Sequence, residues 1–355
     1  MRVGIVGLGF GALVHLPGFR SEGWEIGAVC ARNRDKARAA ADAAGVTDVH
    51  TDPAELFARD DIDAIAISTP PATHHPLTMA VLAAGKHVVC EKPFAMSAAQ
   101  ALEMRDAAAR AKRTAMIAHE FRFAPQRRYI KQLVADGTIG RFNLCTIELF
   151  LDRYVTAQPR PLTWAAYESE GGGLLGALGS HYIDGLRDWF GEVAKVTCKL
   201  DALRPDVVDT ATGRIVKAES DDTFTFTLDF ANGGSATMIA SFAATPARGA
   251  RICVMGDEGT LIAEQAGPNP TDDGVVIASR KGAPLAPLIT PAQFAVSTDA
   301  RDHRLMSFRA LVREFTRGIE QGTSPAPSFD DGWRCQQVLD AARVSSGTGR
   351  TVAIG

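Results

Sequence analysis

The chain has 355 residues, 46% hydrophobic and 22% charged, with a formal net charge of -3. That length exceeds one ordinary hydrophobic core and fits two domains. The composition excludes a disordered chain, the charge provides no field for nucleic acid or an anionic membrane, and no apolar run approaches the ~18 residues of a bilayer span.

From Met1 the chain enters "RVGIVG" with no charged leader or small-residue cleavage site, so the expected location is the cytosol. Six scattered cysteines (Cys30, Cys90, Cys145, Cys198, Cys253, Cys335) form no C-x-x-C pair, which argues against a zinc ribbon or a disulfide framework; no metal is expected. Up to residue 121, short apolar runs alternate with helical segments. "RVGIVG" precedes a periodic stretch over 13–19, "EIGAVC" precedes "RDKARAAADAAG", and "IDAIAIS" precedes "PLTMAVLAAG". "KHVVCE" then precedes "AAQALEMRDAAARAK", and "TAMIAHE" follows. Continuous apolar strands separated by helices mean a parallel, doubly wound sheet covered on both faces.

After about residue 123 the pattern changes. "PQRRYIKQLVADGTIG" reads as a helix ending at Gly137, and "RFNLCTIELFL" alternates like a half-exposed strand. "DDTFTFTLDFANGGSATMIASFA" and "ARICVMGDEGTLIAE" read as antiparallel hairpins turning at Asn232-Gly233-Gly234 and Asp257-Glu258-Gly259. Residues 266–298 read as surface loops, and two helices over 303–319 and 331–342 close the chain. The expected fold is α/β: a doubly wound domain over 1–121, then an α+β domain over 122–355 built on an antiparallel sheet.

Four strand ends carry candidate chemistry. In "GIVGLGFGALVHLPGF", Gly7 and Gly9 follow a strand and open a helix, with Ala12 at the third small position. Small residues there let a pyrophosphate approach the backbone, although a glycine turn can also serve packing alone. The next strand ends in "AVCARNRDK", where an acid would bind the ribose of NAD; Ala31 and Arg32 instead leave room and charge for the 2′-phosphate of NADP. Otherwise Arg32 is a solvated loop residue. Thr69 and Pro70 of "ISTPPATHH" leave the carboxyl end of a strand, where ligands bind in such sheets. Adjacent His74 and His75 cannot point together on a helix, so no metal pair is expected; His74 suits a capping role as well as a functional one. Lys92 in "CEKPF" sits at another strand end, where an ammonium can bind a substrate hydroxyl and favour the alkoxide formed as hydride leaves.

In the second domain, "GGGLLGALGSHYIDGLRDWFG" holds His181. A catalytic imidazole needs a carboxylate partner. Four residues earlier stands Ala177; three later stands Asp184, on the same helix face. Trp164, beside Tyr154 and Tyr167, can stack on a sugar or simply pack a loop. Arg122 in "HEFRF" can hold a substrate carboxylate or hydroxyl, or brace the domain junction.

With "STPPATHH", "AGKHVVCEKPF", "FRFAPQ", "GTIGRF", "GSHYIDGLRDWFG" and "FDDGWRCQQVLDAARVSS", the chain resembles the Gfo/Idh/MocA oxidoreductases over nearly its whole length. The resemblance implies an N-terminal Rossmann domain and a C-terminal domain with a large open, mainly antiparallel sheet whose outer face makes homodimers or homotetramers. It implies that Gly7, Gly9, Phe10, Ala12, Arg32, Thr69, Pro70, His74, Glu91 and Lys92 line a nicotinamide cofactor. The family's D-x-G-x-H-x-x-D pattern begins here with Ala177, so the first acid is missing while His181 and Asp184 remain.

The expected protein is thus an oxidoreductase moving a hydride between NADP (or NAD) and a secondary alcohol or ketone of a sugar, polyol or inositol-like substrate. Lys92 and His181 contact the substrate and manage the proton, and Asp184 orients His181. Arg122 and Trp164 also bind substrate. No nucleic-acid or membrane partner is expected. The alternatives are an NAD-dependent glycosidase working by transient oxidation and elimination, and a non-catalytic nucleotide-sensing regulator.

Overall fold

The computed structural model describes residues 1–265, 274–294 and 302–355, which fall into two compact units. The first comprises Met1–Glu120 with Thr298–Gln336, and the second Phe121–Ser297 with Gln337–Gly355. The single cut expected after residue 121 does not match this division. The helix Leu305–Gln321 belongs with the first unit because its Phe308 and Phe315 pack edge-on against Phe19, at 5.8 and 6.4 Å between ring centroids. Gly18 makes room for this: a Cβ there would lie 2.5 Å from Phe308 Cδ1.

Six parallel strands form the first unit's sheet: β1 (Arg2–Val6), β2 (Glu25–Cys30), β3 (Val49–His50), β4 (Ala64–Ile67), β5 (His87–Cys90) and β6 (Ala115–Ile117). Their order is β3-β2-β1-β4-β5-β6. The chain therefore reverses its direction of sheet growth between β1 and β4, which opens a crevice at their carboxyl ends. Nearly every residue of β1, β2, β4 and β5 is buried, as expected for strands covered on both sides. The covering helices begin with a π-turn over Gly11–His15 that runs on into α1 (Leu16–Ser21). They continue with α2 (Arg34–Ala43), α3 (Pro53–Phe57), α4 (His74–Ala83) and α5 (Ala98–Ala111). Asn33, Asp52 and Ser97 cap α2, α3 and α5 by accepting backbone N–H bonds.

The second unit opens with α6 (Pro125–Ala135) and carries α7 (Ser180–Phe190) and a sheet of nine strands among the described residues. The long central strands are β7 (Phe142–Phe150), β9 (Val193–Asp201), β12 (Thr223–Phe230), β13 (Ser235–Ser241), β14 (Gly249–Gly256) and β15 (Gly259–Glu264), while the short β8 (Arg160–Pro161), β10 (Asp206–Val208) and β11 (Ile215–Lys217) pair in a separate small sheet. Both expected hairpins form, β12 with β13 and β14 with β15. The sheet is mainly antiparallel, but β13 lies parallel to β7, which sits between the two hairpins. Alternating burial, as in β12, leaves one face of the sheet toward the core and the other outward. The described part of the segment expected as loops holds a further strand, Val276–Arg280, paired with β15; its short run has no alternation and lies among Pro and Gly residues, so it reads as loop. Residues 266–273 and 295–298 of that segment lie outside the described residues. All six cysteines are buried free thiols.

Candidate functional site

The glycine turn is shaped by what lies beneath it. Gly7 has φ +94°, and a Cβ there would sit 2.4 Å from the Ser68 carbonyl oxygen. Ser68, just past β4, donates from Oγ to Gly7 O at 2.8 Å, and a Cβ on Gly11 would meet that same Oγ. Gly9, by contrast, has no atom of a described residue within 4 Å of an ideal Cβ. The turn is sealed below and open above, which fits a dinucleotide lying over it. Phe10 follows, and Ala12 begins the next turn of helix. Arg32, two residues past β2, is exposed and makes no ion pair among the described residues.

His74 ties two strand-end motifs together. Its Nε2 lies 2.9 Å from Thr69 O and its Nδ1 3.0 Å from Pro93 O, so the imidazole spans from the Thr69-Pro70 turn to the Glu91-Lys92-Pro93 turn. Burial holds its pKa below the usual histidine range. The capping alternative is therefore what the contacts give it. Thr73 Oγ1 donates to Thr69 Oγ1 at 2.7 Å, closing the same turn.

Lys92 projects at the edge of this crevice, its Nζ 5.9 Å from the Phe10 ring centroid, and the Lys92–Pro93 peptide is cis. Glu91 points the other way, into the protein. Its Oε1 lies 2.8 Å from His15 Nε2, and its Oε2 accepts from Lys92 N at 3.2 Å. Burial opposes its charge, but the His15 hydrogen bond and the Lys92 charge outweigh that and keep it ionised below the usual glutamate range. His15 itself stacks on Phe308 at 4.4 Å. Glu120, after β6, has the opposite fate: burial first, then the Glu91 charge, push its carboxyl up to about 8. No local spacing marks His15, whose partner Glu91 is 76 residues away, and Glu120 is likewise set apart only by its burial beside Glu91.

In the second unit, helix α7 carries His181 and Asp184. The imidazole of His181 is buried and stacks on Phe121 at 3.7 Å with an 8° interplanar angle. Both oxygens of Asp184 accept from Arg122, from Nε at 2.5 Å and Nη2 at 2.7 Å. Arg122 Nη1 donates to Asp188 at 2.9 Å, and Lys131 Nζ also reaches Asp188 at 2.7 Å. Of the roles weighed for Arg122, bracing is the one these contacts supply, and the brace lies within this unit. The α7 approach is set by Asp221: its Oδ2 accepts from Leu175 N at 2.8 Å, and Gly173, with φ +112°, leaves the room this needs. Burial pushes the Asp221 carboxyl up to about 6. The sequence signalled the Gly171-Gly172-Gly173 run but not the acid it accommodates. Trp164 is 43% exposed in a separate short turn, Trp164–Ala166. Nearby in sequence, the Arg160 guanidinium stacks on Tyr154 at 3.9 Å.

No group of three or more potential metal ligands occurs among the described residues, and none of their helices is long and apolar enough to cross a membrane.

Residues 1–119 match the oxidoreductase-family model for the NAD-binding Rossmann fold, and residues 131–354 match that family's C-terminal alpha/beta domain. The chain is 26% identical to D-apiose dehydrogenase of Paraburkholderia graminis, covering 99% of this chain and 88% of that protein. It is also 26% identical to the NADP(+) scyllo-inositol 2-dehydrogenase of Bacillus subtilis, over 82% and 79% of the two chains. A levoglucosan dehydrogenase solved with NADH and L-sorbose superposes with a TM-score of 0.90 at 22% identity, over 100% and 99% of the chains, a likeness of fold. The chain belongs to the Gfo/Idh/MocA family and is an NAD(P)-dependent oxidoreductase acting on CH–OH groups.

Proposed function

We propose that this protein is a dehydrogenase or reductase for a secondary alcohol or ketone of a sugar, polyol or inositol-like molecule, with NADP preferred. The observation that carries the reading is the gathering of Gly9, Phe10, Thr69 and Lys92 at the carboxyl ends of β1, β4 and β5, with the Lys92 ammonium 5.9 Å from the Phe10 ring. A bound nicotinamide supplies the hydride donor or acceptor. Lys92 binds the reacting oxygen and stabilises its negative charge, and His181 takes or returns the hydroxyl proton. Trp164 offers an exposed ring to an apolar sugar face. Asp184 acts as a positioning residue: by holding Arg122 it fixes the turn of α7 that carries His181.

NADP preference rests on Arg32, an exposed guanidinium with no ion pair among the described residues, at the strand end where an acid would serve NAD. Buried free thiols suit a reducing cytosol. The outward face of the nine-stranded sheet, where Leu144 and Ile239 stand exposed, suits a homodimer or homotetramer.

The test is a fluorescence titration of NADPH and NADH with wild-type, Arg32→Ala and Lys92→Ala proteins, followed by turnover on a panel of aldoses, polyols and inositols. Arg32→Ala should weaken NADPH by roughly tenfold or more and leave NADH nearly unchanged, the scale of one lost charge-assisted contact. Lys92→Ala should bind dinucleotide and lose turnover. Equal losses on both dinucleotides would move Arg32 away from the 2′-phosphate, and wild-type turnover by Lys92→Ala would remove its catalytic role.

A further inference from the structure

Arg304 stands just before the helix Leu305–Gln321, yet its guanidinium Cζ lies 4.8 Å from the centroid of Phe10, the residue that follows Gly9. Lys92 Nζ lies 5.9 Å from the same centroid. One aromatic ring, on the residue that follows Gly9, therefore has two cations beside it. An aromatic face attracts each cation, but it does not cancel their mutual repulsion.

The acids nearby leave part of that charge unanswered. Asp302 accepts from Arg304 Nε at 2.8 Å and from Nη2 at 2.5 Å, which fixes the plane of the guanidinium. Those bonds use its side-on edge. The end-on edge, formed by Nη1 and the second hydrogen of Nη2, makes no hydrogen bond or ion pair among the described residues, and the side chain remains 28% exposed. Glu91 is engaged with His15 and the Lys92 backbone. A pre-oriented guanidinium fork with a vacant edge is the geometry that takes a planar pair of anionic oxygens. Over the adjacent turn, no atom of a described residue lies within 4 Å of an ideal Cβ on Gly9, which leaves space among them for such a group.

We propose that Arg304 is a cofactor-binding residue that takes the diphosphate of the dinucleotide on its end-on edge. A side chain from the far end of the sequence would then complete the turn formed by Gly7, Gly9 and Phe10. This rests on reading that turn as the dinucleotide site. Its role is separate from that of Arg32, since the diphosphate is common to NADP and NAD whereas the 2′-phosphate is not.

The test measures dissociation constants of NADPH, NADH and ADP-ribose for wild-type, Arg304→Gln and Arg304→Lys proteins, using fluorescence for the first two and calorimetry for the third. Thermal melts confirm that each variant is folded. Arg304→Gln should weaken all three ligands by a similar factor, roughly tenfold, and Arg304→Lys should restore part of the loss by returning the charge without the fork. Wild-type affinity of Arg304→Gln for all three overturns the proposal. So does a loss confined to NADPH and NADH, which would put Arg304 at the nicotinamide end. Failure of the wild-type chain to bind any of them would instead sink the dinucleotide reading, and the proposal with it.

Discussion

Replacing Asp184 with alanine tests whether the α7 acid is a structural brace. Asp184 is fully buried and Arg122 has a side chain only 7% exposed, so the deletion leaves a guanidinium stranded away from water. Removing one partner of a buried ion pair costs ~3–5 kcal/mol, because the remaining charge loses its compensation. Asp188 still holds Nη1 but shares its oxygen with Lys131, so the lower end of that range, about 3 kcal/mol, is expected. Asp184→Asn, which keeps one acceptor and the volume, should cost about half as much. The Arg122→Met, Asp184→Leu double variant should be less damaged than Asp184→Ala alone, since no stranded charge remains. Urea denaturation followed by circular dichroism reads these differences, with the transitions of the two units fitted separately because a two-unit chain need not unfold in one step. Asp184→Ala within about 1 kcal/mol of wild type would refute the reasoning, as would a double variant worse than the single one.

Three further predictions concern the first unit. Glu120, pushed up to about 8 mainly by burial, keeps its proton in the folded chain where the unfolded chain has already released it. Its contribution to stability is therefore complete below the ordinary glutamate pKa of about 4.3 and is lost as pH rises through about 8. Glu120→Gln should remove that downward slope from melting temperatures measured across this window, and superimposable slopes for the two proteins would contradict it. At the turn, Gly7→Ala drives a methyl to within 2.4 Å of the Ser68 carbonyl oxygen at φ +94°, so it should cost about 2 kcal/mol and abolish NADPH binding. Gly9→Ala meets no atom of the described residues and should leave the melt unchanged while weakening NADPH; unchanged affinity would mean that the space over Gly9 is not where the cofactor lies.

Much of this molecule is written locally. The strands of the first unit are short apolar runs, and the helices between them announce themselves by caps and periodicity within about ten residues. The glycine turn, the strand-end Lys92 and the hairpin turns at Asn232-Gly233-Gly234 and Asp257-Glu258-Gly259 are backbone and side-chain preferences of a few adjacent residues. They can be read without knowing what packs against them. The missing acid at Ala177 and the cation at Arg32 are legible in the same way, against the pattern of a family whose motifs the chain carries.

Tertiary structure decided which partners those residues meet. Asp184, three residues from His181 and on the same helix, gives both oxygens to Arg122, for which the sequence offered a substrate contact or a brace but named no partner. Glu91 is held by His15 across 76 residues, Asp221 caps the approach to α7, and Arg304 comes back to Phe10. The parallel contact of β13 with β7 and the return of the Leu305–Gln321 helix to the first unit belong to the same class. Dihedral preference and hydrophobic period act over a few residues, so the sequence by itself determined the elements and their strand-end motifs. A buried charge finds its partner only when distant surfaces are driven out of water together, and that pairing exists only in the folded chain.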